Sequence, residues 1–146
     1  LNEMLTATYN SAFIDYNTPT IISLGSKISR KYAMKTGSSG TDCYMIGYNP
    51  DILMLVWNGY DDNRQMNPVD GNISKNIWVN TVEEYLKDKE ARWYDVPENV
   101  VGVPLDAITG NQADNDKKMY VYYYVKGSEY VNSEMEYEGN KENITE

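Results

Sequence analysis

Two polar turn clusters set between three strand-like runs constrain this chain most. Asn49-Pro50-Asp51 separates Cys43–Tyr48 from Ile52–Gly59, and the polar, glycine-bearing stretch Ser38–Asp42 separates Cys43–Tyr48 from residues 28–37. Connections this short cannot carry a strand over a sheet to run parallel to its neighbour, which takes a dozen residues or more. The three runs are therefore expected to form an antiparallel meander over residues 28–59. Pro50 presets the backbone for the second turn. The third run, Ile52-Leu53-Met54-Leu55-Val56-Trp57, is apolar at every position, which predicts a strand that is central or covered on both faces.

Around this meander the pattern is mixed. Residues 2–14 carry a loose apolar face at helical spacing, and Asn17-Thr18-Pro19 ends it. Residues 60–72 form a polar loop. Its Asp61, Asp62 and Asp70 do not match the spacing of a calcium loop and read as solvated. Residues 73–89 are expected to be a helix with the stripe Ile77, Trp78, Thr81, Val82, Tyr85 and Leu86, and both Trp78 and Tyr85 are expected in the core. Val100–Asp106, with Pro104 favouring an edge, and Met119–Val125 read as a hairpin around the turn Thr109-Gly110-Asn111-Gln112. The tyrosines of Met119–Val125 are read as a sheet face packed on a neighbour rather than a platform for sugars. The fold class is α+β: an antiparallel sheet with packed helices and a C-terminal β-hairpin. The organisation is residues 1–92, a hairpin extension over 93–131 and an acidic tail over 132–146. The tail holds Glu134, Glu136, Glu138, Glu142 and Glu146 against Lys141 and reads as solvated and disordered. The sequon Asn143-Ile144-Thr145 within it is taken as chance.

Composition excludes several classes of function. A net charge of −9 argues against a nucleic-acid partner. The chain has no histidine and one cysteine, Cys43, so a Ser-His-Asp triad, an internal disulfide and a zinc or cysteine-protease site are not expected. No metal or cofactor is expected. A six-residue apolar run is far short of the roughly 20 residues of a membrane-spanning helix. No basic region followed by an apolar one opens the chain, which starts in helix-like sequence and reads as a piece of something longer.

One stretch carries chemistry: Tyr32-Ala33-Met34-Lys35-Thr36-Gly37-Ser38-Ser39. Thr36 and Ser38 alternate with Gly37, so their side chains share one face of a strand. Gly37 lets another backbone approach this edge. Lys35 points to the opposite face from Thr36 in a regular strand, with a side chain long enough to reach round a twisted edge. A cation, hydroxyl donors and an approachable backbone suit a carboxylate or a developing oxyanion.

The matches continue beyond the tripeptide. Ala33-x-Lys35-Thr36-Gly37-Ser38-Ser39 is followed by Asp42, Gly47-Tyr48-x-Pro50, Val56-Trp57-x-Gly59-Tyr60-Asp61-Asp62, Asp70-Gly71 and Ile77-Trp78, and then by Tyr123–Glu129. In this order they resemble the C-terminal half of the transpeptidase domain of class A penicillin-binding proteins, over about residues 1–130. The resemblance implies a β-lactamase/transpeptidase-like fold and a peptidoglycan D,D-transpeptidase that cross-links stem peptides through a serine acyl-enzyme. It implies Lys35 and Ser38 as catalytic residues, Lys35 in the proton relay and the Ser38 N–H as one oxyanion donor. It implies Thr36, Gly37, Ser38 and Ser39 as the substrate-binding edge for a stem peptide or β-lactam. It also implies a parent anchored at the outer face of the bacterial cytoplasmic membrane, with this piece soluble by itself. The family's nucleophile motif Ser-x-x-Lys and its Ser-x-Asn motif lie upstream of the lysine motif; both are read as absent from this chain, where only 34 residues precede Lys35. The piece is therefore expected to be inactive alone. The competing reading is a non-catalytic wall-binding or interaction module of the same fold; a plain α+β domain with Lys35 on its surface is the third. A sheet lacking its other strands leaves an edge open, which predicts homo-oligomerisation through that edge.

Overall fold

The computed structural model describes residues 1–111 and 118–129. The 132–146 tail, its sequon and Gln112 lie outside the described residues. The described chain divides into two compact units. The first takes Leu1–Asn10 and Thr18–Tyr94, and the second takes Ser11–Asn17 and the residues after Tyr94.

In the first unit, β1 (Ala33–Ser38), β2 (Asp42–Asn49) and β3 (Ile52–Gly59) form the expected antiparallel meander in the order β1-β2-β3. The register runs from Ala33↔Tyr48 to Ser38↔Cys43 and from Asp42↔Gly59 to Asn49↔Ile52. Both turns are closed by side chains. The Asn49 amide oxygen accepts the N–H groups of Asp51 and Ile52, and the Ser39 hydroxyl accepts those of Thr41 and Asp42. Residues opposite each other share a face, so Met34, Thr36, Ser38, Met45, Met54 and Val56 point one way.

Helix α1 (Gly71–Leu86) contributes Trp78, Val79, Val82 and Leu86 to a core shared with Met34 and Met45 of that face and with Ile21, Leu24 and Tyr32. Trp78 is fully buried. Its Nε1 donates to the Met54 carbonyl at 3.0 Å, and its ring meets Tyr32 edge-on at 5.0 Å between centroids. Gly47 makes this possible, since a Cβ there would lie 2.3 Å from the indole. The helix C-terminus is closed by the Arg30 guanidinium, which donates to the carbonyls of Leu86, Lys89 and Glu90. That cation also opposes the negative end of the helix dipole.

Four expectations need correction. The stripe of α1 is turned: Ser74, Trp78, Val79, Val82 and Leu86 are buried, while Tyr85 is 57% exposed and Ile77 is exposed beside it. Trp78 lying directly on the sheet backbone centres the 74-78-82 line, and Tyr85 instead takes the Lys89 ammonium over its ring. Strand β3 lies at an edge of the described sheet, and its second face shows Leu53 at 70% exposure beside exposed Leu55 and Trp57. Among the described residues no strand extends the sheet beyond β3. Residues 2–14 form 3-10 turns at Met4–Tyr9 and Ser11–Phe13 rather than a helix. There Thr6 and Thr8 hydroxyls donate back to the Glu3 and Leu5 carbonyls, and Asn10 is extended. Strand β1 starts at Ala33 rather than near residue 28, because Ser29 and Arg30 are bonded to Glu83 and to the end of α1.

The later family-like residues are explained by one cluster. Trp57 Nε1 donates to Asp42 Oδ1 at 2.8 Å across the first turn, and the indole lies over Gly59, where a Cβ would approach it to 2.7 Å. Tyr60 and the Asn67 N–H both donate to Asp70, which with Asn67 makes a capping box just before α1. Asp62 lies beside Arg64, whose guanidinium stacks over Tyr60. Among the described residues, no group of three or more Cys, Asp or Glu could hold a metal ion.

In the second unit, β4 (Val100–Asp106) and β5 (Met119–Val125) pair antiparallel from Val100↔Val125 to Asp106↔Met119. Tyr120 and Tyr122 lie on the same face as Val103 and Leu105, and Phe13 packs edge-on against Tyr120 at 4.9 Å. The Tyr122 hydroxyl donates to the Ala107 carbonyl. The Asp106 carboxylate accepts the Ile108 and Thr109 N–H groups and starts a turn in which Gly110 has a φ of 70°. No described helix is long and apolar enough to cross a membrane.

Replacing Gly47 by alanine forces a methyl into an indole that cannot retreat from Met54. The expected loss is about 1–3 kcal/mol by urea unfolding. Gly37→Ala, where the nearest atom is 3.7 Å away, is expected to stay within about 0.5 kcal/mol. Acid also destabilises. Hydrogen bonds from Thr41, then Trp57 and Ser39, hold the Asp42 carboxyl below its usual range, and the Arg92 guanidinium does the same for Asp51. Each contributes stability above the unfolded value of about 4, lost as pH falls through the lowered folded value. Asp42→Asn with Asp51→Asn should flatten the fall in stability between neutral and acidic pH; an unchanged pH profile would count against both.

Candidate active-site edge

The outer edge of β1 divides into a covered half and an open half. Thr8 Oγ1 donates to the Met34 carbonyl, and the Tyr9 hydroxyl donates to that of Tyr32. Those carbonyls point away from β2. In an antiparallel strand outward and inward groups alternate, so the backbone groups of Thr36 and Ser38 point outward as well. The Ser39 N–H, one residue on, turns inward to Asp42. Among the described residues no backbone partner reaches the outer edge at Thr36–Ser38, and Gly37 and Ser38 are exposed. The Ser38 N–H is thus a donor aimed into solvent.

The four residues expected to form a substrate-binding edge do different things. Thr36 Oγ1 donates to Thr20 Oγ1 at 3.2 Å. Gly37 keeps the edge low. Ser38 shows its hydroxyl on the same face as Thr36. The Ser39 hydroxyl, in contrast, is engaged in the turn, donating to Asp42 Oδ2 at 3.0 Å while accepting two N–H groups. Lys35 lies on the other face, as strand alternation requires. Its ammonium turns back round the edge to the Thr36 carbonyl at 2.8 Å.

Beside the edge lies an open depression of about 270 Å³. Thr36, Gly37 and Ser38 form one wall, Cys43 and Tyr44 of β2 the floor, and Thr20, Gly71 and Lys75 the opposite side. Lys35 is not among its lining residues. Lys75 was not singled out by sequence pattern; only the packing of α1 against the sheet brings it beside Thr36. Cys43 is the free, half-buried thiol of the floor.

The expectation that Ser-x-Asn is absent needs correction: one such triplet occurs, Ser74-Lys75-Asn76, downstream of Lys35. It sits on α1, where Ser74 is buried with its hydroxyl on the Gly71 carbonyl, and Asn76 accepts from Lys27. Ser74 therefore offers no free hydroxyl to the depression. No Ser-x-x-Lys occurs anywhere in the sequence.

A scan of protein-family models finds no match. Penicillin-binding protein 2D of Bacillus subtilis is 31% identical over 131 residues, 88% of this chain and 19% of that protein. Penicillin-binding protein 1A of Neisseria meningitidis (strain Z2491) is 34% identical over 73 residues, 47% of this chain and 9% of that protein. The crystal structure of penicillin-binding protein 1A from Haemophilus influenzae shares the fold with a TM-score of 0.66, at 20% identity over 90% of this chain and 21% of that one. The chain thus spans about a fifth, or less, of the length of these relatives. By sequence and by fold, the chain belongs with the class A penicillin-binding proteins, as a part of their transpeptidase domain.

Proposed function

We propose that this chain supplies one wall of the acyl-transfer site of a peptidoglycan D,D-transpeptidase. The observation that carries the reading is the open half of β1, where the Thr36 and Ser38 hydroxyls share a face and the Ser38 N–H points outward. A peptide laid along that edge can pair with the Thr36–Ser38 backbone while its terminal carboxylate meets the two hydroxyls, the Thr36 O–H turning to it from Thr20 Oγ1. A serine from another segment attacks the D-Ala-D-Ala carbonyl, and the Ser38 N–H stabilises the oxyanion together with the N–H of that serine. In comparable sites one such donor is worth roughly 100- to 1,000-fold in rate. Released D-alanine leaves an acyl-enzyme, which an amine of a second stem peptide resolves. Lys35 serves the proton relay and the positive potential once its ammonium leaves the Thr36 carbonyl. Ser39 acts through the turn that holds Ser38 in place.

The parent sits at the outer face of a bacterial cytoplasmic membrane, and β-lactams share the site with the stem peptide. The part described by this chain has no nucleophile. A domain that keeps the sheet for wall binding or protein contact and has lost the chemistry is the alternative; a Ser-x-x-Lys encoded upstream separates the two in favour of the enzyme.

Fluorescent penicillin is expected to leave this chain unlabelled, and stoichiometric covalent labelling would refute the assignment. In a parent protein with the upstream motifs, Thr36→Val should slow acylation roughly 10- to 100-fold, the value of a hydrogen bond to a charged group. The unpartnered outer edge of β3 and its exposed Leu53-Leu55-Trp57 row support self-association through that edge. Light scattering should show dimers, and a monomer at all concentrations would rule this out.

A further inference from the structure

We infer that Lys75 on α1 is the cation that holds the carboxylate of a ligand seated against Thr36 and Ser38. The inference rests on reading that edge as a carboxylate clamp, and it assigns the charge to a residue outside the lysine-threonine-glycine motif.

Three observations carry it. First, among the described residues lining the depression, Lys75 alone is basic. Lys35 belongs to the opposite face of β1 and its ammonium is engaged by the Thr36 carbonyl. Second, Lys75 is half-buried and has no carboxylate partner among the described residues. One of its three N–H donors goes to the Thr20 carbonyl at 2.9 Å, a neutral acceptor, so two donors remain for an anion. Third, Thr20 joins the two sides of the depression: its carbonyl holds Lys75 while its hydroxyl accepts from Thr36. The cation and the Thr36 hydroxyl are thus tied to one shared residue beside the depression.

Charge makes the assignment consequential. The chain carries −9 overall, so an anion approaches against the general field and needs a local cation to stay. Neutral hydroxyls supply direction and short-range hydrogen bonds, but no charge to offset that field. A point charge on a flexible stem suits a single small carboxylate, without the planar two-point geometry that an arginine would impose.

The test titrates the isotopically labelled chain with N-acetyl-D-alanyl-D-alanine and, separately, with its C-terminal amide, following backbone amide signals. The free carboxylate should shift Thr36, Gly37 and Ser38, and the amide should bind more weakly. Lys75→Met should weaken the carboxylate roughly two- to fivefold, the range for a partly exposed charge pair, and leave the amide unchanged. Lys75→Arg should retain most of the affinity, and Lys87→Met, just past the far end of α1, should change nothing. Unaltered carboxylate binding by Lys75→Met overturns the inference and leaves the clamp at Thr36–Ser38 standing; equal binding of acid and amide overturns both. Absence of any shift at Thr36–Ser38 with either ligand overturns both the inference and the clamp. If Lys75→Met loses its folded spectrum, the salt dependence for the unaltered chain decides. Binding should weaken between about 20 and about 300 mM salt, and a constant affinity overturns the role of Lys75.

Discussion

The contact of Trp78 with Gly47 is the constraint on which the first unit depends. A glycine in the middle strand lets an indole lie directly on the sheet, and the Met54 carbonyl fixes its far edge. This single placement sets the rotation of α1 about its axis. It puts Ser74 and Val82 on the sheet, turns Ile77 and Tyr85 outward and swings Lys75 to the side where β1 ends. The depression beside Thr36 is therefore a product of core packing. Interiors packed at crystalline density do not slide by fractions of a turn, so the position of Lys75 relative to β1 is as well defined as the core.

The open edge has a different origin. Strand β1 is covered by Thr8 and Tyr9 only as far as Met34. Beyond that point the chain leaves two outward backbone positions, Thr36 and Ser38, without backbone partners among the described residues. Unpaired backbone on an edge is normally a hazard. Here Lys35 partly satisfies it by bonding the Thr36 carbonyl, a partner that an arriving peptide could displace because the bond is exposed and on a flexible side chain. The same lysine thus occupies the edge, and in the proposed mechanism it acts there only once released.

Much of this was legible in the sequence because it rests on local rules. Turn residues and a period of two placed β2, β3, β4 and β5 to within a residue. The ordered matches from Lys35 to Trp78 identified the family, and packing explains several of them: Gly47 with Trp78, Gly59 with Trp57, and Asp42 with both Trp57 and the first turn. What was not legible depends on partners distant in the chain. Tyr85 fits an apolar stripe as well as Val79 does, and only the sheet decides between them. Residues 28–31 look like strand but are held by Glu83 and the end of α1. The apolar run of β3 predicts a covered strand, but alternation leaves Leu53, Leu55 and Trp57 on a face that no described residue buries. Ser39 shares the composition of the edge but works in the turn, a division that only hydrogen bonding reveals.

The register of β1 on β2 deserves to be seen as a measuring device. Side chains alternate faces along a strand, so a slip of one residue would exchange the two sets completely. Lys35 and Gly37 would then face α1, Thr36 and Ser38 would face away from it, and the outward N–H would belong to a different residue. Two short turns, one locked by Asn49 and the other by Ser39 and Asp42, forbid that slip. Side chains of the two turns thus govern which residues the candidate edge presents, and an error in either turn would change that set in an otherwise folded sheet.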